Sequence, residues 1–311
     1  MFEKIALVGI GLIGSSIALS VRQQGLARHI AISTRKAPTL AEAEALRLGD
    51  SYTLSAAEAV RDADLVVLCT PVGAYEAVMA EIAPALKRGA ILSDVGSVKQ
   101  YALDVIQPLL PEGVHFVPGH PLAGTEYSGP SAGFAALFRG RWCILTPGTD
   151  ADAQAVRMLT GFWEALGSSV EVMDAPHHDL VLAITSHVPH LIAYNIVGTV
   201  DDLANDTKSE VIKFSASGFR DFTRIAASDP VMWRDVFLTN RDAVLEMLGR
   251  FLVDLDVLHA AVRDGDGPAL EALFTRTRAI RRSIIDAGQE TAAADFGRVG
   301  SPQDQARTGA E

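Results

Sequence analysis

The chain has 311 residues, which suggests about two domains, and 49% of them are hydrophobic, enough for a sizeable core. A formal charge of -11 argues against a nucleic-acid partner and means that cations holding an anionic substrate must be local. Two cysteines, Cys69 and Cys143, supply neither a disulfide framework nor a metal cluster, a composition that fits a soluble cytoplasmic protein.

Residues 3–16 read EKIALVGIGLIGSS. The apolar run Ile5-Ala6-Leu7-Val8 predicts a strand. Gly9-Ile10-Gly11-Leu12-Ile13-Gly14 predicts a glycine-rich turn, and the small and apolar residues that follow suit a helix. This is the G-x-G-x-x-G dinucleotide fingerprint of a Rossmann domain in its required context. Gly9 is expected to make the tight turn, Gly11 to let a pyrophosphate reach the backbone beside Leu12 and Ile13, and Gly14 to let helix and strand pack closely. The helix N-terminus then offers free N–H groups to the phosphates. The apolar stretch to Val21 is short for a membrane span, carries three glycines and lacks a basic leader.

A second strand is predicted over His29–Ser33. Where an acidic residue would bond a ribose 2′-OH the chain has Thr34, followed by Arg35 and Lys36. No carboxylate repels a 2′-phosphate and two cations can hold one, so the sequence leans toward NADP. A solvated Arg35, or one stacked on adenine, leaves NAD open. A helix over Ala41–Leu48 precedes a buried parallel strand in Ala63–Pro71, whose end, Thr70-Pro71, falls at the carboxyl edge of the sheet. Cys69 reads as a small buried hydrophobe. A helix over Tyr75–Leu86 and strands over Ala90–Asp94, Val114–Pro118 and Arg141–Thr146 complete a doubly wound, mostly parallel α/β sheet within residues 1–150.

Beyond residue 150 helical periods take over, with strand signals fading after Val170-Glu171-Val172. Residues 180–200 carry no formal charge and would pass as a membrane span. His187, Pro189, His190 and Asn195 are poor in lipid, so a core helix kinked at Pro189 is expected instead. Asp235–Val262 predicts one long amphipathic helix with a polar slot at Arg241, and Leu270–Ile285 a second. Such a hairpin cannot bury its stripe alone, so it closes the helical domain or meets its copy in a dimer. From Gly288 the chain is polar and small and is expected to be disordered.

Four further segments carry polar chemistry: DVGSVK (94–99), GHPLAGTEYSG (119–129), SHVPH (186–190) and GFRDFTRIAASDPVMW (218–233). Together with GIGLIGSS they closely resemble the prephenate/arogenate (cyclohexadienyl) dehydrogenases of tyrosine biosynthesis, over residues 1–287. The resemblance implies a Rossmann domain followed by an all-helical C-terminal dimerisation domain over 151–287, and hence a homodimer. It implies NAD or NADP as cofactor. The implied reaction is oxidative decarboxylation of prephenate to 4-hydroxyphenylpyruvate or of arogenate to tyrosine. His120 matches the catalytic histidine, whose neutral imidazole would accept the ring-hydroxyl proton. Ser97 matches a serine near that hydroxyl and the nicotinamide, and could also cap the helix after it. Thr125 and Glu126 match the substrate pocket, where Glu126 could meet an ammonium or form a salt bridge. His187 and His190, three apart on one helix face, line the substrate site in the family. Arg224 matches the arginine that grips a substrate carboxylate with two bonds. Arg220, where many relatives carry Lys, and Asp221 precede it, and Asp221 could anchor Arg220 or reach a dimer partner. Trp233 is expected to wall the pocket.

No metal is expected, because the histidine pair lacks a carboxylate or cysteine at ligand spacing. His177-His178-Asp179 reads as a solvated helix start and Lys99 as structural or as long-range electrostatic help. The fingerprint begins at the third residue and the tail is short, so neither a chorismate mutase domain nor a regulatory ACT domain is expected, and inhibition by tyrosine would act at the active site. The alternatives are another two-domain dehydrogenase of the 3-hydroxyacid or pyrroline-carboxylate type, or a non-catalytic dinucleotide sensor.

Overall fold

A computed structural model describes residues 2–125, 127–203, 210–211, 213–214 and 216–286. The chain divides into two compact units, residues 1–248 and residues 249 onward. In the first, β1 (Phe2–Val8), β2 (Ala27–Ser33), β3 (Ser51–Thr53), β4 (Leu65–Leu68), β5 (Ile91–Asp94) and β6 (His115–Phe116) form a six-stranded sheet of order β3-β2-β1-β4-β5-β6. Every pairing in it is parallel. The order reverses between β1 and β4, the switch point at which such sheets bind ligands beyond their carboxyl ends.

Alternation along the central strands builds two cores. Ile5, Leu7, Leu65 and Val67 face one layer, with Ile17 and Val21 of α1 (Leu12–Gln24) and Phe162 and Trp163 of α2 (Ala153–Ala165). Ala6, Val8, Val66 and Leu68 face the other, with Tyr75, Met79 and Ile82 of α3 (Tyr75–Ile82) and Ala102 and Ile106 of α4 (Lys99–Ile106). With both faces covered, the paired stretches Ile5–Val8 and Leu65–Leu68 are apolar at every position rather than at every second one.

The last predicted strands depart from a single sheet. β6 is only two residues long, and the chain turns at Pro118 into β7 (Gly119–Pro121). That strand pairs antiparallel with β8 (Trp142–Leu145), which pairs parallel with β9 (Ser169–Val172) in a separate three-stranded sheet. Proline lacks an N–H to extend the main ladder, and the change of direction seats His120 on the short sheet, opposite Ile144.

Next, α5 (Ala175–Leu182) and α6 (Val188–Asp201) run on through a wide π turn, Ala183–His187. The ring of Pro189 would press on a carbonyl one turn back, and the extra residue in the turn relieves that conflict. The helix from Ala175 to Asp201 is long and apolar enough to cross a membrane. Yet His178, Asp179 and His187 along it are buried in protein. α7 (Ser217–Thr223) and α8 (Pro230–Thr239) follow, then α9 (Arg241–Asp264). The predicted long helix is therefore two, broken at Asn240, which is non-helical and uses its side chain elsewhere.

In the second unit, α9 ends at a turn with Gly265 at φ 68° and α10 (Gly267–Asp286) follows. Leu252, Val253, Val257, Val262, Phe274 and Ile280 are all exposed on this pair of helices. The polar tail expected from Gly288 lies outside the described residues.

Candidate active site

The turn after β1 has the geometry of a phosphate cradle. Gly9 sits at φ +99°, and a Cβ there would lie 2.6 Å from the Cys69 carbonyl oxygen. A Cβ on Gly14 would lie 2.5 Å from the Gly9 carbonyl oxygen, so helix and strand touch through backbone. A Cβ on Gly11 would meet nothing within 4 Å, which leaves open space over the turn. The first turn of α1, from Leu12 and Ile13, has no side-chain cap. Its N–H groups are therefore available to an anion. Across the switch point, Thr70 Oγ1 is buried with no protein partner, beside Pro71. Open backbone, an uncapped helix and an orphaned hydroxyl fit a dinucleotide. At the end of β2, Thr34 is half-buried, and Arg35 and Lys36 are exposed with no ion pair among the described residues.

Beyond the carboxyl ends of β4 and β5 lies a buried polar network. Asp94 Oδ2 accepts from the Tyr75 hydroxyl at 2.7 Å, from Gly96 N at 2.9 Å and from the Lys99 ammonium. Lys99 Nζ also donates to the Gly119 carbonyl at 2.8 Å, one residue before His120. Lys99 is fully buried with its ammonium held by Asp94 and Gly119, so it does not present the free ammonium that a lysine-dependent hydroxyacid dehydrogenase would need. Cys69 and Cys143 are held protonated, burial pushing both thiols far up.

His120 is buried, and its Nδ1 lies 2.8 Å from Nε2 of His178. His178 Nδ1 in turn lies 2.8 Å from Asp179 Oδ1. Asp179 also accepts from the Lys99 and Gln100 N–H groups at 2.8 and 2.9 Å. Two expectations change here. His178 and Asp179 are not a solvated helix start: only His177 is exposed, and the other two turn inward onto β7 and α4. Ser97 does not cap α4, because Asp179 takes the helix's first N–H groups, so the half-buried Ser97 hydroxyl is left for other work. Burial, with His178, Lys99 and His187 close by, holds His120 well below the ordinary histidine value. Burial also lowers His178, against the opposing pull of Asp179.

The helical side of the same unit continues this network. Asn240 Nδ2 donates to the Asp179 carbonyl at 2.9 Å and to His187 Nδ1 at 3.0 Å. An amide nitrogen has only these donors to give, so His187 Nδ1 accepts and its Nε2 carries the hydrogen. That buried Nε2–H has no protein partner, and burial pushes the ring down to about 4. His187 meets Trp233 edge-on at 6.0 Å, and His190 stacks on Trp233 at 3.7 Å. His190 donates from Nδ1 to the Ser186 carbonyl at 2.8 Å, which leaves its Nε2 as an acceptor. Burial, with the Arg224 charge nearby, lowers His190. A chain of contacts thus runs from His120 through His178, Asp179, Asn240, His187 and Trp233 to His190, which feels the Arg224 charge.

Other candidates stand apart. Arg220 and Asp221 are exposed on α7. Thr125 is exposed, its hydroxyl accepting from Tyr127 N at 3.3 Å. Glu126 lies outside the described residues. Among the described residues no group of three histidines, cysteines or carboxylates could hold a metal. His178, Asp179 and Asn240 have no mark in the sequence beyond two polar residues ahead of an uncharged run and one at a helix break.

The family model for the prephenate dehydrogenase nucleotide-binding domain matches residues 17–172, and that for the prephenate dehydrogenase dimerization domain matches 174–276. The chain is 42% identical to a cyclohexadienyl dehydrogenase of Zymomonas mobilis, over 91% of this chain and 97% of that one. It is 34% identical to a prephenate dehydrogenase of Bacillus subtilis, over 91% and 76%. Among solved structures, prephenate dehydrogenase of Aquifex aeolicus in complex with hydroxyphenyl propionate and NAD+ superimposes with a TM-score of 0.84 at 31% identity, covering 91% of this chain and 99% of that one.

Proposed function

The chain belongs to the prephenate dehydrogenase family, and from that premise we propose that it oxidatively decarboxylates prephenate, arogenate or both in tyrosine biosynthesis. The observation that carries the reading is the neutral, buried His120, joined through one contact network to His190, which feels the Arg224 charge, within a unit that also holds the phosphate cradle. The substrate offers a ring hydroxyl, a ring carboxylate and a side chain with a second carboxylate. The bound nicotinamide supplies the hydride acceptor. Nε2 of His120 takes the hydroxyl proton while CO2 leaves and the ring becomes aromatic, so the protein mainly orients and deprotonates. Arg224 holds a carboxylate with paired bonds, and the Nε2–H of His187 donates to a second acceptor. Ser97 attends the hydroxyl and Trp233 walls the pocket.

Thr34 with Arg35 and Lys36 favours NADP, since these residues bring two cations and no carboxylate to the place where a 2′-phosphate would lie. The exposed apolar residues of α9 and α10 favour a homodimer through these helices. A steady-state comparison at 340 nm of prephenate and arogenate, each with NAD and NADP, tests the whole reading. Turnover with at least one pairing, and a lower KM for NADP, is expected. Absence of turnover with all four would overturn it.

A further inference from the structure

We propose that His178 and Asp179 are positioning residues that set the tautomer of His120 and so decide whether it can act as a base. The proposal rests on the reaction inferred above, but its geometry stands alone. A carboxylate can only accept, so the 2.8 Å contact between Asp179 Oδ1 and His178 Nδ1 places the hydrogen on that nitrogen. In a neutral ring the other nitrogen, Nε2, then holds a lone pair. That lone pair faces His120 Nδ1 at 2.8 Å, so Nδ1 of His120 must donate. The remaining nitrogen of His120, Nε2, is left as the acceptor.

The arrangement has a second setting. One proton added to the pair makes both nitrogens of His178 donors. His120 Nδ1 must then accept: the added proton comes to rest on His120 Nε2, the former Nδ1 hydrogen crosses the 2.8 Å contact to His178 Nε2, and the base is lost without moving a heavy atom. The groups that bear on the pair are Asp179 beside His178, Lys99 of α4, Asp94 of β5 and His187 of the π turn. Asp179 is itself held by two backbone N–H groups of α4, so it cannot swing away from His178. In the reaction one proton passes from the substrate oxygen to His120 Nε2. The O–H bond breaks and an N–H bond forms. The imidazolium that forms is then stabilised by a hydrogen-bonded line that ends on a carboxylate, as an aspartate stabilises the imidazolium of the serine hydrolase triad.

The test compares two variants at His178 with a direct reading of the tautomer. His178→Phe removes the acceptor, whereas His178→Gln restores one through its carbonyl oxygen. We expect His178→Phe to lower kcat by about 10²–10⁴-fold with nucleotide Kd changed less than about twofold. His178→Gln is expected to recover at least tenfold of that loss. In a two-bond 1H–15N spectrum at neutral pH, with His120 assigned by its disappearance in His120→Asn, wild-type Nε2 should show the shift of an unprotonated nitrogen. A protonated Nε2 in the wild type, equal kcat in His178→Phe and wild type, or no recovery in a folded His178→Gln would each overturn the proposal. The spectrum needs no turnover, so an enzyme inactive on all four substrate and cofactor pairings would refute the reaction while leaving the tautomer testable.

Discussion

Substituting alanine separately at Gly9, Gly11 and Gly14 should separate folding from nucleotide binding in one short loop. At Gly14 the added Cβ would lie 2.5 Å from the Gly9 carbonyl oxygen, against an ordinary contact near 3.4 Å. Both sides are backbone, so relief means moving the turn, an overpacking cost of about 1–3 kcal/mol. Gly9→Ala adds a 2.6 Å clash with the Cys69 carbonyl to a φ of +99°, and about 1–3 kcal/mol of backbone strain comes on top. Gly11 has φ -87° and an open surrounding, so alanine fits there. Its weaker helix-capping is offset by about 0.4–1 kcal/mol of lost unfolded-state freedom. If a pyrophosphate lies against that backbone, however, the methyl group takes its place. A tenfold loss of affinity is about 1.4 kcal/mol. Nucleotide at 100 times Kd adds about 2.7 kcal/mol of stability, and about 1.4 kcal/mol once affinity has fallen tenfold. Thermal unfolding with and without NADP reads both terms, at about 2–4 °C per kcal/mol for a chain of this order of size. Gly11→Ala should keep the ligand-free Tm within about 2 °C and halve the nucleotide-induced shift, while Gly9→Ala and Gly14→Ala lower the ligand-free Tm. A full nucleotide shift in Gly11→Ala would place the phosphates elsewhere and refute the reasoning.

Three further outcomes follow from the site. His120→Asn should cut kcat by about 10²–10⁴-fold with nucleotide Kd unchanged; equal loss of affinity and rate would contradict a base role. Arg224→Ala should raise substrate KM by about 10–150-fold, the worth of a charge-assisted bond of about 1.5–3 kcal/mol, with Arg224→Lys between it and wild type. Stability should fall on acidification, because burial holds His120, His178 and His187 below 6.5, His187 at about 4. Between those lowered values and 6.5 the unfolded chain binds more protons than the folded one. The stability is therefore complete above about pH 6.5 and is lost as pH falls toward the folded values, at up to about 1.4 kcal/mol per pH unit for each ring. Urea midpoints at pH 7.5, 6 and 5 check this, and an unchanged midpoint would rule it out.

What can be read from the chain alone depends on how local the physics is. The β1–turn–α1 unit is legible because Gly9 and Gly14 answer to contacts a few residues away, or to Cys69 just past the neighbouring strand, and Gly11 to open space over the turn. Gly96 is legible as part of DVGSVK but its reason is not: a Cβ there would lie 2.4 Å from the Tyr75 hydroxyl, which must come in to reach Asp94. His120 and His178 are 58 positions apart, and Asp179 lies 80 from the helix start it caps. No periodicity reports such pairs, and two histidines before an aspartate at a helix start look like any solvated first turn. Likewise the heptad-like stripe across residue 240 hides a helix break, because Asn240 leaves the helix to satisfy a carbonyl and an imidazole from another element.

Lys99 is the residue that makes this machinery rigid. Its backbone N–H binds Asp179 on α5, its ammonium binds Asp94 at the end of β5, and the same ammonium binds the carbonyl of Gly119 on β7. Three elements that the sequence keeps far apart are thereby referred to one buried side chain. A buried ion pair contributes little to stability by itself, since desolvation consumes most of its attraction. Removing one partner is another matter, because a lone carboxylate would be left in a dry site. The pair is therefore better understood as a register device. It holds the strand bearing His120 and the helix bearing His178 at the one separation where two ring nitrogens share a hydrogen. The buried Lys99 ammonium is thus spent on alignment, so on the proposed reading a dianionic substrate is left to Arg224.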